Sequence, residues 1–408
     1  MSGLDQRGYE TDTAEPPVAL VTIAREWTRI GVIGFGGPPA HIALLRTLCV
    51  QRRGWLTAAE FEDGIAATNL LPGPSSTQLA ILCGWRLRGA LGALIGGACF
   101  ITPGLIVILG LAALFLGAHP PRWVLGAAAG AGAAVPAVAA HAAAGLVPAS
   151  LARAGTTRAA RARWAAYVAA GATAAAAAGP WLVFVLVGCG LLEAATKDRP
   201  PTGTPGDERR RAAIPVVSPL LPVVAAPAVA GGVAAIAWMA AKVGALSYGG
   251  GFVIIPLMRH DAVDTHHWMT GAQFLDAVAL GQVTPGPVVH TVAVVGYAAA
   301  GMWGGLLAAL MAFGPSFAFV LAGGRHFDRL RASPRIQSFL TGAGPAAIGA
   351  IAGTTVPLLL TLDHLWQYGL LVPVVAWLFG LRRGVVPALL GAAVLGVVAA
   401  LAGAPLSA

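Results

Sequence analysis

Five stretches of this chain, residues 89–117, 123–147, 164–195, 303–323 and 385–403, are almost free of charge. Each approaches or exceeds the roughly 20 residues that a helix needs to cross a bilayer. Charged residues make up 11% of the sequence, against about 25% in a soluble protein. The chain therefore reads as an all-α polytopic membrane protein whose first partner is the lipid bilayer. Its net charge of +9 would suggest nucleic acid in a soluble protein. In this chain the arginines sit between apolar runs, where basic residues set cytoplasmic topology, so no nucleic-acid partner is expected. Residues 1–17 are polar, lack an apolar core and read as a disordered N-terminal tail, not a signal peptide. Lys197 and Lys242, the two lysines, follow no Walker-type glycine pattern, which argues against ATP-driven pumping. Cys49, Cys83, Cys99 and Cys189 lack metal or redox spacing and read as small buried hydrophobes. No cofactor, metal or enzymatic constellation is expected.

Within that apolar frame one pattern is written twice. Pro72-Gly73-Pro74 lies under Pro285-Gly286-Pro287 at a shift of 213 residues, the separation of Pro72 and Pro285. The same shift superposes Gly36 and Gly37 on Gly249 and Gly250, Arg46 on Arg259, Trp55 on Trp268, Thr57 on Thr270 and Asp63 on Asp276. After a one-residue slip Gly89 falls on Gly301 and Pro103 on Pro315; after another, Pro136 and Pro148 answer Pro345 and Pro357. The organisation that follows is a first repeat at 18–195, a cytoplasmic linker at 196–213 and a second repeat at 214–408. Loop charges point to inversion. The basic loops at Arg86 and Arg88 and at 153–163 correspond to 299–301 and 362–369, which hold no Lys or Arg. The nearly neutral 119–122 corresponds to 325–335, with four arginines. Basic and bare loops have changed places, as expected if the second repeat is inserted upside down, with 214–230 as a short extra crossing. Gly179-Pro180 splits one run, and the segments before each Pro-Gly-Pro are polar, so roughly ten to twelve segments are expected to touch the membrane, several broken or re-entrant.

The breaks carry the chemistry. Proline suits the first position of a helix, where its missing N–H loses no partner. Pro74 therefore starts a helix at Ser75, Ser76 and Thr77, followed by Gln78. First-turn amides cannot stay empty in lipid, and a helix N-terminus carries partial positive charge. Such a start is a seat for an oxyanion. Thr284, Pro285, Gly286, Pro287 and His290 repeat the arrangement. Gly36, Gly37, Pro38 and His41 make a third start; Gly249, Gly250 and Gly251 make a looser fourth. Asn69 and Gln282 flank the breaks with further hydrogen-bonding groups. Glycine and proline could also serve helix packing alone; four breaks in two matched pairs favour a substrate site. Arg46, Arg259 and Lys242 stand farther off and suit charge pairing or snorkelling. Asp63 and Asp276 are candidate proton carriers, or caps and arginine partners. Residues 260–267, rich in His and Asp, read as a polar interfacial loop and not a metal cluster. Glu193 and His141 have no partner that the sequence identifies.

These motifs together resemble the chromate ion transporter family in its long, two-repeat form. The resemblance rests on FGGPPAH at 35–41, RRGWL at 52–56, LLPGPSSTQ at 70–78, YGGGFVIIPL at 248–257, FLDAVALGQVTPGP at 274–287 and FGPSF at 313–317. It implies a multi-pass inner-membrane secondary transporter that exports chromate, a sulfate-like dianion, and so confers chromate resistance. The N-terminus and linker would be cytoplasmic, and a homodimer is compatible with the resemblance. Sulfate or another small oxyanion is the alternative substrate. The family usually has glutamine where Asn69 stands and an acid where Leu48 stands; the second repeat keeps both, as Gln282 and Asp261.

Overall fold

A computed structural model of the chain describes residues 17–69, 71, 73–117, 120–177, 182–197, 232–247, 254–323 and 333–406. Among these the fold is all-α, with fourteen α-helices and no strand. The first repeat supplies α1 (Leu20–Ile33), α2 (Pro38–Arg46), α3 (Ala58–Thr68), α4 (Ser75–Phe115), α5 (Arg122–Ala154), α6 (Arg158–Ala177) and α7 (Leu182–Lys197). The second supplies, in the same order, α8 (Val233–Leu246), α9 (Ile255–Arg259), α10 (Gly271–Val283), α11 (Thr291–Gly323), α12 (Pro334–Leu360), α13 (Leu365–Val375) and α14 (Val385–Leu401). By length and composition α4, α5, α11 and α12 can cross a membrane, and α7, α8, α13 and α14 are shorter apolar helices. The expected tail up to residue 16, the linker beyond residue 197, the crossing at 214–230, Pro72, Gly249, Gly250 and Gly251 lie outside the described residues.

The repeat extends to local backbone. Thr57 and Glu60 close a capping box at the start of α3, and Thr270 and Gln273 close the same box on α10. Each box satisfies two donors that a helix start leaves open. Both α2 and α9 run on into π-helical turns, Thr47–Arg52 and His260–Thr265. The stretch expected to be a polar loop at 260–267 is thus largely helical. Its π spacing brings Arg259 to Asp264, five residues on, at 3.1 Å.

The basic stretch at Arg86 and Arg88, expected to be a loop, is a reversal without one. α4 has 41 residues, about 60 Å if straight and twice the hydrocarbon core of a bilayer. It does not stay straight. Arg88 (φ −145°, ψ 29°) and Gly89 (φ 58°, ψ −146°) leave helical space, and Gly84 meets Gly92 backbone to backbone. Residues eight apart in a straight helix would be about 12 Å apart. α4 is therefore a hairpin of a short arm, 75–87, and a long arm, 90–115. α11 reverses identically at Ala300 (φ −151°, ψ 32°) and Gly301 (φ 62°, ψ −153°), with Gly296 against Gly304.

The short arm spans about 20 Å and cannot cross a core of about 30 Å. It returns along α3: Gly64 lies against Leu79 and Leu82, and Arg86 donates to the Glu60 carbonyl. α3 and the short arm thus form a re-entrant hairpin with Gly73 and Pro74 at its tip. In the second repeat α10 and residues 288–299 do the same, Gly281 packing on Val288 and Thr291.

Two further packings place the tips. The long arms of α4 and α11 cross antiparallel, with Gly97 against Phe317 and Leu109 against Gly305. The halves also interlock: α5 packs along α13 and α14, while α12 packs along α6 and α7. Glycines carry these contacts, Gly130 on Ala392 and Gly349 on Val168 among them. Close backbone approach is what binds helices in lipid, where the hydrophobic effect does not drive them together. Glu193 and His141 do have partners. Arg163 Nε donates to Glu193 at 3.0 Å and the Tyr167 hydroxyl at 3.1 Å, fastening α6 to α7. His141 meets the Phe379 ring edge-on at 5.2 Å.

Candidate anion-binding site

Each hairpin tip begins a helix. Pro74 (φ −70°, ψ 102°) caps α4, and Pro287 (φ −66°, ψ 135°) caps a 3-10 turn, Val288–His290, that leads into α11. Both prolines stand one position earlier than the sequence suggests, outside the helix in extended backbone; Pro38 alone of the three is the first helical residue. Gly73 (φ 125°) and Gly286 (φ 95°) supply the left-handed backbone of the turns, a conformation costly to other residues. First-turn N–H groups have no intrahelical acceptor and form the positive end of the helix.

The two tips are joined. The Gly286 N–H donates to the Gly34 carbonyl at 2.9 Å. The same carbonyl lies 2.9 Å from His41 Nε2, and His41 Nδ1 lies 3.2 Å from Ser76 Oγ. A continuous chain of hydrogen bonds thus links the first turn of α4, through α2 and the end of α1, to the second tip. Each tip also rests on the long arm of the other repeat. A Cβ on Gly73 would lie 3.2 Å from Ser316 Oγ; one on Gly104 would overlap the Pro285 carbonyl and come within 2.7 Å of His290 Cε1. Gly104 and Ser316 occupy one repeat position, directly after Pro103 and Pro315.

Polar atoms without partners collect at this junction. Thr77 and His290 stand at the same repeat position, third after each Pro-Gly-Pro, and both are 0% exposed. Thr77 Oγ1, both His290 ring nitrogens, Ser316 Oγ and Gln282 Nε2 have no hydrogen-bond partner among the described residues. The Ile101 carbonyl stands near His290 without reaching hydrogen-bond geometry. A buried polar group left unmet costs free energy comparable to a lost hydrogen bond or more. Two helix N-termini flanked by such groups can take an anion through neutral donors.

The structure therefore brings together Gly37, His41, Gly73, Pro74, Ser76, Thr77, Gln78, Gln282, Pro285, Gly286, Pro287 and His290. It leaves Asn69 exposed and turns the Thr284 hydroxyl back towards Gly281. The charged candidates are paired elsewhere: Arg46 with Glu62 at 2.8 Å, Arg259 with Asp264, and Lys242 with Asp261 at 2.6 Å. Asp63 is exposed, whereas Asp276 is buried with its carboxylate against Gly132 of α5. Sequence reasoning missed Gly34, Gly104 and Ser316, although the matched Pro103 and Pro315 stood beside two of them. An open cavity of about 1040 Å³ lies at the mouth of the first hairpin, lined by Trp55, Glu60, Trp85 and Arg86 with Leu321; it is distinct from the tips.

Two homologous halves, loopless helical reversals and paired re-entrant hairpins define a multi-pass membrane protein of the broken-helix repeat type. The family model for the chromate transporter matches residues 21–194 and again 234–403, once per repeat, and the chain belongs to that family. It is 30% identical over 351 residues to the chromate transport protein of Cupriavidus metallidurans, covering 84% of this chain and 83% of that protein. It is also 30% identical over 375 residues to the chromate transport protein of Pseudomonas aeruginosa, covering 85% and 83%. An uncharacterized transporter of Methanocaldococcus jannaschii is 26% identical over 361 residues, covering 85% and 86%. No solved structure matches the chain.

Proposed function

We propose that this protein is a secondary transporter that exports chromate across the cytoplasmic membrane by alternating access and so confers chromate resistance. The observation that carries this reading is the meeting of two re-entrant helix starts over buried Thr77, His290 and Ser316, which have no partner among the described residues. A tetrahedral dianion fits that donor set, and the relatives named as chromate transport proteins support chromate as the dianion. The antiparallel crossing of the equivalent long arms supports inverted insertion: a two-fold axis relating antiparallel membrane-crossing helices lies in the membrane plane. The hairpins then enter from opposite faces, with Arg86 and Arg88 on the cytoplasmic side. Such a donor set also suits release, since the permanently charged candidates Arg46, Arg259 and Lys242 are paired elsewhere.

Direction follows from energetics. An inside-negative potential is worth about 2.3 kcal/mol per charge per 100 mV, so expelling a bare dianion gains about 4.6 kcal/mol. Export needs no coupling cation. Asp276 stands nine residues before Pro285, about 13 Å along α10, and among the described residues no hydrogen bond relays it to the tips. Asp276→Asn is therefore expected to leave flux and its pH dependence unchanged in reconstituted vesicles; loss of the pH dependence would assign proton handling to this carboxylate.

The deciding experiment is uptake of labelled chromate into inverted vesicles holding the purified protein, with sulfate as competitor and the potential set by a potassium gradient. Potential-driven chromate accumulation, lost in Pro74→Ala with Pro287→Ala, is expected. Sulfate transport with chromate ignored would keep the architecture and replace the substrate. No flux of either anion would reduce the repeated prolines to a packing role.

A further inference from the structure

We propose that His41 sets the polarity of the Ser76 hydroxyl and so ties anion binding to the uptake of one proton. The proposal rests on the tip site described above. The Gly34 carbonyl can only accept, so His41 Nε2, 2.9 Å away, carries a hydrogen in either charge state of the ring. Nδ1 is the atom that changes. In the neutral ring it is a lone pair, and Ser76, 3.2 Å away, must donate to it. The hydroxyl hydrogen is then committed to the ring, and the space beside the first turn of α4 sees oxygen lone pairs, which repel an anion. In the protonated ring Nδ1 donates to Ser76 Oγ. The hydroxyl hydrogen is released and joins the first-turn amides in donating to the anion, with a positive ring behind it.

The surroundings limit the count to one. α1 presents Gly34 to the ring, and α4 presents Ser76 and Phe100, whose ring meets His41 edge-on at 5.0 Å. Among the described residues of the second repeat the titratable group facing it is His290, and two positive rings side by side would repel. The other charges on the packed elements are engaged or turned outward. Glu26 holds Arg53 at 2.6 Å and Arg46 holds Glu62. Arg86 and Arg88 donate to the Glu60 and Val18 carbonyls, and Arg25, Arg29 and Arg52 are exposed. His41 acts on the anion through Ser76 and is a positioning residue.

The test measures chromate binding to the purified full-length protein together with proton uptake, read by a pH indicator in weakly buffered solution. The wild type is expected to take up about one proton per anion and to lose about tenfold in affinity per unit rise in pH. His41→Gln keeps an amide donor for Gly34 but cannot titrate. It is expected to hold the wild type's high-pH affinity at every pH and to lose the protein's share of proton uptake. The titration of chromate itself is common to both proteins and cancels in the difference. Ser76→Ala leaves the His41 bond to Gly34 in place and is expected to lose most of the low-pH gain in affinity. Undiminished proton uptake in His41→Gln, or an unchanged pH slope in Ser76→Ala should His41→Gln fail to fold, overturns the proposal while leaving the tip site standing. Failure of the wild type to bind chromate or sulfate at any pH overturns both.

Discussion

Gly104→Ala is expected to cut anion flux by about 100-fold, the loss that a displacement of about 1 Å brings to a positioned group. The added methyl would overlap the Pro285 carbonyl and press on His290. Neither neighbour is the free end of a flexible side chain: one is tip backbone, the other a buried ring. The tip must retreat, and its bond from Gly286 to Gly34 lengthens or breaks with it. Overpacking of this kind costs about 1–3 kcal/mol, so the variant should still fold but melt earlier. Gly110→Ala is the control. It lies six residues on along the same arm with open space around it, and its flux and melting temperature should match the wild type. Wild-type flux in Gly104→Ala would show that the second tip does not need the first repeat's long arm.

Gly92→Val should destabilise the fold by upwards of about 3 kcal/mol, beyond the usual range for overpacking, because backbone and not a side chain stands in the way. Gly84 and Gly92 touch across the Arg88 and Gly89 reversal, and a branched side chain there would force the two arms of α4 apart. The short arm would then lose its place beside α3, and the first tip its place beside Ser316. Gly304→Val should act in the same way on α11, where Gly304 meets Gly296. Yield of monodisperse protein and its melting temperature are the readouts. Near-normal values for both variants would mean that the reversals are held by the Gly89 and Gly301 backbone alone.

The class, the repeat and the helix starts were legible because each is written locally. Apolar runs mark membrane segments, and proline and glycine mark breaks within a few residues of where they occur. Three things were not legible. The reversals at Gly89 and Gly301 use no loop residues, so basic side chains at Arg86 and Arg88 suggested a loop where the chain simply turns. Glu193 finds Arg163 30 residues away, across a helical hairpin whose register the sequence does not show. Asp63 and Asp276 share a repeat position yet differ in burial, since α10 is packed along α5 and Asp276 is covered by it. At the site, His41 and His290 could be selected from spacing. Gly34 and Gly104 act through a carbonyl and through the lack of a side chain, and such roles appear only when distant backbone segments meet.

The interlocking of α5 with α13 and α14, and of α12 with α6 and α7, dictates an order of events during synthesis. α5 ends at Ala154, and α14, which covers its glycine face, ends at Leu401, about 250 residues later. At a synthesis rate of about 5–20 residues per second that is a wait of roughly 12–50 s. Through that interval the first half lies in the membrane with its small-residue faces bare, close enough in shape to pair with the wrong glycine-rich helix. A newly made first half is thus an unfinished surface, and its correct closure depends on the second half arriving before another partner does.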